Sequence, residues 1–351
     1  NAINHNMREG LISAVKWAER EKLKRVILSG SGRGFAAGAD TKEFDHPPVS
    51  PHLPDVINHI EASNIPWIAA IHGAALGGGG EIALGCRYRI ARADATIGFP
   101  EVILGVVPGA GATQRLPRLI GLTEALKLIP TGKTISGRAA MAIGLVDAID
   151  DDPITAAKLI DQKILSEVVP LNLTKTGADK TVNYDAARQI AIRRMRGQEA
   201  PLTAISLLEM AQTATFDEGM QKERTAFLAL RASSKARALR HIFFAERAAK
   251  KPPKAIATQK SNLKPLDHVV VIGGGTMGSG IAYAFLNANI RVTILESDDP
   301  GMQRANTAID KIISASLASG HINPQGAADR RNRLKVMMIQ PDPDTGKLSN
   351  N

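Results

Sequence analysis

The sequence contains one cysteine, few aromatic residues and no long apolar run. Cys86 alone cannot form a disulfide within the chain or a metal site of several cysteines, which is typical of a reducing compartment. No apolar stretch approaches the ~20 residues of a membrane-spanning helix, and residues 1–10 lack the pattern of a signal peptide. Aromatic residues make up 4% of the chain, too few to favour base stacking. We therefore expect no transmembrane segment, no nucleic-acid partner and a cytoplasmic location.

The composition is that of a folded protein with more than one domain. The chain has 351 residues, of which 44% are apolar and 22% charged, enough for two or three hydrophobic cores. Nearly all of the net charge of +10 lies in residues 185–264, which hold 16 lysines and arginines against 7 aspartates and glutamates. Apolar residues recur there every three or four positions, which predicts helices with a solvated basic face. Two alternatives for this basic segment stay open: it attracts a phosphate-bearing ligand, or it binds RNA or a membrane surface.

The order of the predicted elements divides the chain into three parts. Residues 1–185 alternate short β-like and helix-like runs, as an α/β domain does. Residues 186–265 are helical and end in a linker rich in proline and lysine. Residues 266–351 open with a strand, a glycine-rich turn, a helix and a second strand. The chain begins in a helical pattern and ends soon after the third part starts, so we expect it to be truncated at both ends.

Four consecutive glycines, residues 77–80, stand where an apolar strand changes into a helix. Glycine permits unusual backbone angles and close approach of a ligand. The first N–H groups of a helix have no partners within it and lie at the positive end of its dipole. The run predicts half of an oxyanion hole, although a tight turn with close helix packing would also use glycines.

A second turn rich in small residues, "FAAGAD" at residues 35–40, would supply the other half. Two converging amides stabilise negative charge as it develops on an oxygen. Glu81 directly follows the glycine run, and Glu101 follows a proline twenty residues later. Two carboxyl groups in one pocket can act as acid and base when their environments separate their pKa values. Either glutamate alone would more often be a surface charge.

The motifs "FAAGAD", "HGAALGGGGEIALGC" and "IGFPEVILGVVPGAGATQRL" together resemble the crotonase, or enoyl-CoA hydratase, superfamily over residues 1–150. The resemblance implies a crotonase fold and acyl-CoA thioesters as substrates. It implies that the N–H groups of Ala39 and Gly78 form the oxyanion hole and that Ala37 lies along the CoA adenine. It also implies that Glu81 and Glu101 activate the water that adds to a trans-2-enoyl-CoA. The same glutamates would permit Δ3-Δ2 enoyl-CoA isomerase activity, which is the alternative.

The third part carries a dinucleotide-binding fingerprint of its own. A GxGxxG motif is formed by Gly273, Gly275 and Gly278, and it includes Met277. The motif lies between a strand and a helix, and the acidic residue Glu296 ends the next strand. The helix N-terminus would hold the pyrophosphate, and Glu296 the ribose hydroxyls. These residues predict a partial Rossmann fold that binds NAD rather than NADP.

The order of the parts resembles the multifunctional β-oxidation enzymes, which fuse enoyl-CoA hydratase to 3-hydroxyacyl-CoA dehydrogenase. The resemblance implies that the central helices join the catalytic parts and that the chain is a monomer or the partner of a thiolase subunit. It makes a peroxisomal location the alternative to the cytoplasm. The dehydrogenase histidine motif is not found, since His321 stands in another setting. We expect a hydratase site and only part of the NAD-binding half, or a non-catalytic assembly piece.

Overall fold

A computed structural model describes residues 1–40, 43–44, 46–177, 181–249, 265–318 and 321–339. They belong to two compact units, Asn1–Lys251 and Pro252–Asn351. Strands and helices alternate in both units, and all strand pairs but one are parallel among the described residues. The α/β class predicted from the sequence is confirmed.

The first unit holds the longer series of elements. Its strands are β1 (Val26–Ser29), β2 (Trp67–Ile71), β3 (Ala74–Leu76), β4 (Tyr88–Ala91), β5 (Thr96–Gly98), β6 (Thr134–Ser136) and β7 (Ala148–Ile149). Its helices are α1 (His5–Arg20), α2 (Leu53–Ala62), α3 (Gly78–Gly85), α4 (Ala112–Ile120), α5 (Leu122–Leu128), α6 (Gly137–Ala142), α7 (Pro153–Leu159), α8 (Gln162–Glu167), α9 (Tyr184–Arg194), α10 (Ala200–Met210), α11 (Phe216–Ala232) and α12 (Ser234–Ala249). Short 3₁₀ helices span Pro100–Leu104 and Leu171–Leu173.

The strands of this unit form two sheets. The larger sheet has the order β1-β2-β4-β7 and is parallel throughout. Every residue of β2 is buried, which is why its sequence, "WIAAI", is apolar without alternation. The smaller sheet has the order β3-β5-β6, with β5 and β6 antiparallel.

The apolar stretch "WIAAIHGAAL" forms two strands rather than one. The chain turns at Gly73, whose φ of +54° ends β2. β3 then pairs with β5 in the smaller sheet. Since β3 leads directly into α3, the strand-to-helix change predicted at the glycine run is confirmed.

The helices of the basic segment pack on the first unit. α10 contacts α4, α5 and α9, and α11 contacts α4. α12 lies on the 3₁₀ helix Pro100–Leu104. Arg231 of this segment points inward, and its guanidinium donates to the carbonyl oxygens of Glu43, Phe44 and His46 at 2.6–3.1 Å. The predicted domain boundaries at residues 185 and 265 stay a prediction.

The second unit contains β8 (His268–Ile272), a helix (Thr276–Asn287), β9 (Arg291–Glu296), a helix (Asp299–Ala318), a helix (Pro324–Asn332) and β10 (Leu334–Met338). The strands form a parallel sheet of order β10-β9-β8. Its core includes Leu286, Val292, Ile294 and Ile309. The strand, turn, helix and strand predicted here are confirmed. Within the described ranges, no helix combines the length and apolar character needed to cross a bilayer.

Candidate active site

Each glycine of the run 77–80 faces a close neighbour. Gly77 has φ +54° and joins β3 to α3, a conformation that other residues adopt only with strain. A Cβ on Gly79 would stand 2.2 Å from the carbonyl oxygen of Ala36. The side chains that a Cβ would meet at the other positions are Glu101 at Gly77, Leu53 and Ile3 at Gly78, and Phe99 at Gly80. Close packing therefore accounts for the run, and an oxyanion hole depends on where the amides lie.

The segment that carries Ala39 lies against the start of α3. Gly78 is the first residue of the helix, so its N–H has no acceptor within it. The Ala39 nitrogen lies 3.7 Å from the position that a Cβ on Gly78 would take. Pairing with Ile3 fixes this segment, since the Ile3 N–H donates to the Gly38 carbonyl at 2.9 Å. Ala37 and Ala39 are exposed, whereas Gly78 is buried.

Glu81 lies in the first turn of α3 and is 3% exposed. Its Oε1 accepts hydrogen bonds from the N–H groups of Ala110 and Ala112 at 2.8 and 3.2 Å. Burial raises the pKa of Glu81, while these donors and the positive charges of Arg115 and Arg224 oppose the rise. The surroundings thus favour the ionised form of Glu81 more than burial alone would.

Glu101 sits in the 3₁₀ helix Pro100–Leu104, and its Oε1 lies 2.9 Å from the Cβ position of Gly77. Both carboxyl oxygens are closed to solvent, and no residue in the described part of the chain hydrogen-bonds to either. Burial, together with the charges of Glu81 and Glu223, raises the pKa of Glu101 well above its ordinary value. Burial and the neighbouring charges thus favour the protonated form of Glu101, whereas the two N–H donors at Glu81 favour its ionised form.

The basic helical segment supports the 3₁₀ helix that carries Glu101. That helix ends at Gly105, which has φ +77°. A Cβ on Gly105 would stand 2.9 Å from the Cα of Ala236 in α12. Ala236 is fully buried, so α12 leaves Glu101 little freedom to shift.

The glycine turn of the second unit fits a dinucleotide. Gly273 has φ +83°, and a Cβ on Gly278 would stand 1.8 Å from the Gly273 carbonyl oxygen. Gly275 is the N-cap of the helix Thr276–Asn287, and a Cβ there would meet no atom within 4 Å. The first pair keeps the turn tight, while Gly275 leaves the helix N-terminus open to a phosphate.

The other two predicted cofactor residues flank this turn. Glu296 is the last residue of β9, and its Oε1 accepts a hydrogen bond from the Gly274 N–H at 2.5 Å. Met277 is 76% exposed in the first turn of the helix. The structure therefore gathers all five predicted cofactor residues at one end of the sheet.

Comparison with known proteins identifies the family. Residues 1–203, more than half of the chain, match the family model described as Enoyl-CoA hydratase/isomerase. The chain belongs to the enoyl-CoA hydratase/isomerase family. Residues 268–345 match a second model, the NAD binding domain of 3-hydroxyacyl-CoA dehydrogenase. The two predicted resemblances, the fold class and NAD as the cofactor are confirmed.

Curated relatives join the same two parts in this order. The peroxisomal bifunctional enzyme of Cavia porcellus is 38% identical over 323 residues, 89% of this chain and 44% of the relative. The enzyme of that name from Homo sapiens is 35% identical over 90% of this chain and 45% of its own length. The fatty acid oxidation complex subunit alpha of Shewanella sp. (strain MR-4) is 34% identical over 89% and 46%. This family member thus spans somewhat less than half the length of these relatives.

A solved structure agrees with the fold. The enoyl-CoA hydratase/isomerase of Pseudoalteromonas atlantica T6c superposes with a TM-score of 0.51 at 22% identity. The match covers 70% of this chain and 88% of the other. At this identity the likeness supports the crotonase fold alone.

Sequence reasoning missed a third carboxyl group at this site of the enoyl-CoA hydratase/isomerase family member. Glu223 of α11 is fully buried and accepts hydrogen bonds from the Gly111 N–H, the Thr113 N–H and the Thr113 hydroxyl at 2.6–2.8 Å. Burial and the charge of Glu81 raise the pKa of Glu223 to about 8, against the effect of these donors. A signal was present, because Glu223 shares the buried face of α11 with Gly219 and Leu230, where an acidic residue is unusual.

Proposed function

We propose that the first unit hydrates trans-2-enoyl-CoA thioesters to 3-hydroxyacyl-CoA. One observation carries the proposal: the carboxyl groups of Glu81 and Glu101 are both closed to solvent and stand in contrasting surroundings, near the point where the Ala39 segment meets the start of α3. Family membership supports it, since the matching model describes hydratases and isomerases.

The contrast between the glutamates assigns their roles. Glu81, with two N–H donors and two nearby arginines, is the base that takes a proton from water as the oxygen bonds to C3. Glu101, whose pKa is raised well above the ordinary value, is the acid that gives its proton to C2. The catalytic cycle closes when Glu81 returns its proton to Glu101. General acid and base groups of this kind contribute ~10²- to 10⁴-fold each.

The backbone amides act on the thioester. As C3 is attacked, negative charge develops on the carbonyl oxygen, and the N–H groups of Ala39 and Gly78 would stabilise it. Exposed Ala37, two residues before Ala39, would line the CoA adenine.

Loss of the enoyl thioester absorbance of crotonyl-CoA tests this function. We expect turnover by the parent chain and a ~10²- to 10⁴-fold fall in kcat in both Glu81→Gln and Glu101→Gln. Glu167→Gln, an exposed carboxylate, is the matched control and should behave as the parent does. A folded parent without turnover would contradict the proposal and favour a non-catalytic role.

Isomerisation is a second activity that the same residues would support. A glutamate pair that moves protons at C2 can also move them between C2 and C4, and the family model's description names isomerases beside hydratases. Conversion of 3-hexenoyl-CoA to its 2-enoyl isomer, assayed with the same variants, distinguishes the two activities.

We also propose that the whole protein is a hydratase fused to an NAD-dependent 3-hydroxyacyl-CoA dehydrogenase, as the names and lengths of the relatives suggest. NAD supplies the hydride acceptor, and Gly273, Gly275, Met277, Gly278 and Glu296 would hold it. The Shewanella relative is named as a complex subunit, which supports assembly with a further subunit, for which we propose a thiolase. The names of the vertebrate relatives support the peroxisome rather than the cytoplasm that we expected.

A further inference from the structure

Four consecutive backbone amides at the start of α4 are divided between two buried glutamates. The N–H groups of residues 110 and 112 donate to Glu81 at 2.8 and 3.2 Å. Those of residues 111 and 113 donate to Glu223 at 2.6 and 2.8 Å. One turn of the backbone therefore holds both carboxyl groups, and each glutamate uses alternate amides.

Glu223 reaches this turn from a distant part of the chain. It is 112 positions from Gly111 in sequence and lies in α11, which packs against α4. Its Oε1 accepts from Gly111, and its Oε2 accepts from both the N–H and the hydroxyl of Thr113. All of these groups are buried, so water has no ready access to replace the carboxyl group.

Removal of this acceptor would disturb the Glu81 site. A buried N–H without a partner is destabilising, so the turn would rotate to find other acceptors. The amides of residues 110 and 112 belong to the same four-residue turn and would rotate with it. Glu81 would then lose the donors that favour its ionised form.

We propose that Glu223 is a positioning residue for Glu81, and that it fixes the turn at residues 110–113 so that two amides hold the base of the hydration reaction. The proposal rests on the proposed hydratase function. It makes α11 a part of the catalytic unit, although this helix follows the segment that matches the family model.

The test is kinetic analysis of Glu223→Gln with crotonyl-CoA in the 351-residue chain. Glutamine can offer an acceptor to only one of the two amides, since its NH₂ group would face the other. We expect kcat to fall ~10- to 100-fold, because displacements of ~1 Å at a reacting group have effects of this size. KM should change less than about threefold, because the amides of Ala39 and Gly78 are untouched. Asp217→Asn, an exposed carboxylate on the same helix, is the matched control and should keep the parent's kcat.

A double variant separates positioning from general destabilisation. If Glu223 acts through Glu81, adding Glu223→Gln to Glu81→Gln should lower kcat little further. An equal fall in both backgrounds, or a parental kcat in Glu223→Gln alone, would overturn the inference. If Glu81→Gln itself kept full activity, the proposed function would fail instead, so the two failures are distinguishable.

Thr113 offers a milder variant should Glu223→Gln not fold. Thr113→Val removes the hydroxyl that donates to Glu223 and leaves the amides in place. We expect a several-fold fall in kcat, with near-parental kcat in Thr113→Ser, which keeps the hydroxyl. Equal kcat values in the valine and serine variants would overturn the inference.

Discussion

Replacing Gly79 by alanine tests whether packing of the glycine run positions the proposed oxyanion hole. The added Cβ would stand 2.2 Å from the carbonyl oxygen of Ala36 and 2.8 Å from its carbonyl carbon. These are backbone atoms, so no side chain can rotate away. The same carbonyl accepts a hydrogen bond from the Leu76 N–H at 2.9 Å, which restrains the segment on its other side.

The size of the effect follows from the distance. A tolerable carbon–oxygen contact of ~3.2 Å requires a shift of roughly 1 Å. Because Ala36 lies three residues before Ala39, the amide of Ala39 would move as well. A displacement of this size costs ~10²-fold in rate, and overpacking costs about 1–3 kcal/mol of stability.

The assay measures kcat with crotonyl-CoA beside the thermal midpoint of the same preparation. Gly10→Ala is the matched control, because a Cβ on Gly10 in α1 would meet no atom within 4 Å. It should keep the parent's kcat and raise stability by about 0.5–1 kcal/mol, as alanine does in a helix. A Gly79→Ala variant with parental kcat and midpoint would refute the reasoning.

Further predictions concern the acid, the helical segment and the cofactor turn. A plot of the parent's kcat/KM against pH should be bell-shaped. Its alkaline side should fall because Glu101 loses its proton as pH rises through its raised pKa. A flat alkaline side would contradict the role of Glu101 as the acid. Ala236→Leu should lower kcat and the thermal midpoint, while exposed Ala245→Leu should change neither. In NADH fluorescence titrations, Gly275→Ala should weaken NADH binding, and the thermal midpoint of this variant should stay that of the parent. Gly278→Ala should instead lower the thermal midpoint of the second unit. A Gly275→Ala variant that binds NADH as tightly as the parent does would contradict the placement of the cofactor at this turn.

Local sequence signals were sufficient for much of this structure. The strand and helix on either side of Gly275, and the helix that starts at Gly78, follow from apolar runs interrupted by glycine. The turn at Gly73 was missed because an apolar run continues through it, and only pairing with different sheets shows that it contains two strands.

The candidate site was less predictable where it depends on contacts distant in sequence. Glu81 and Glu101 could be chosen from motifs, but the difference between their surroundings arises from donors at residues 110 and 112. Glu223 carries no motif that the prediction used. Its position on the buried face of α11 was readable from spacing, but its two amide partners were not.

The hydrogen bonds of Glu223 also join two parts of the first unit that are made at different times during synthesis. Glu81 and its turn leave the ribosome before α11, so the amides at residues 111 and 113 gain this acceptor only when the helix docks. A fragment cut at residue 203, where the family match ends, would keep both proposed catalytic glutamates and lack this acceptor. Gene fragments meant to carry the proposed hydratase site by itself should therefore extend past α11, which carries Glu223.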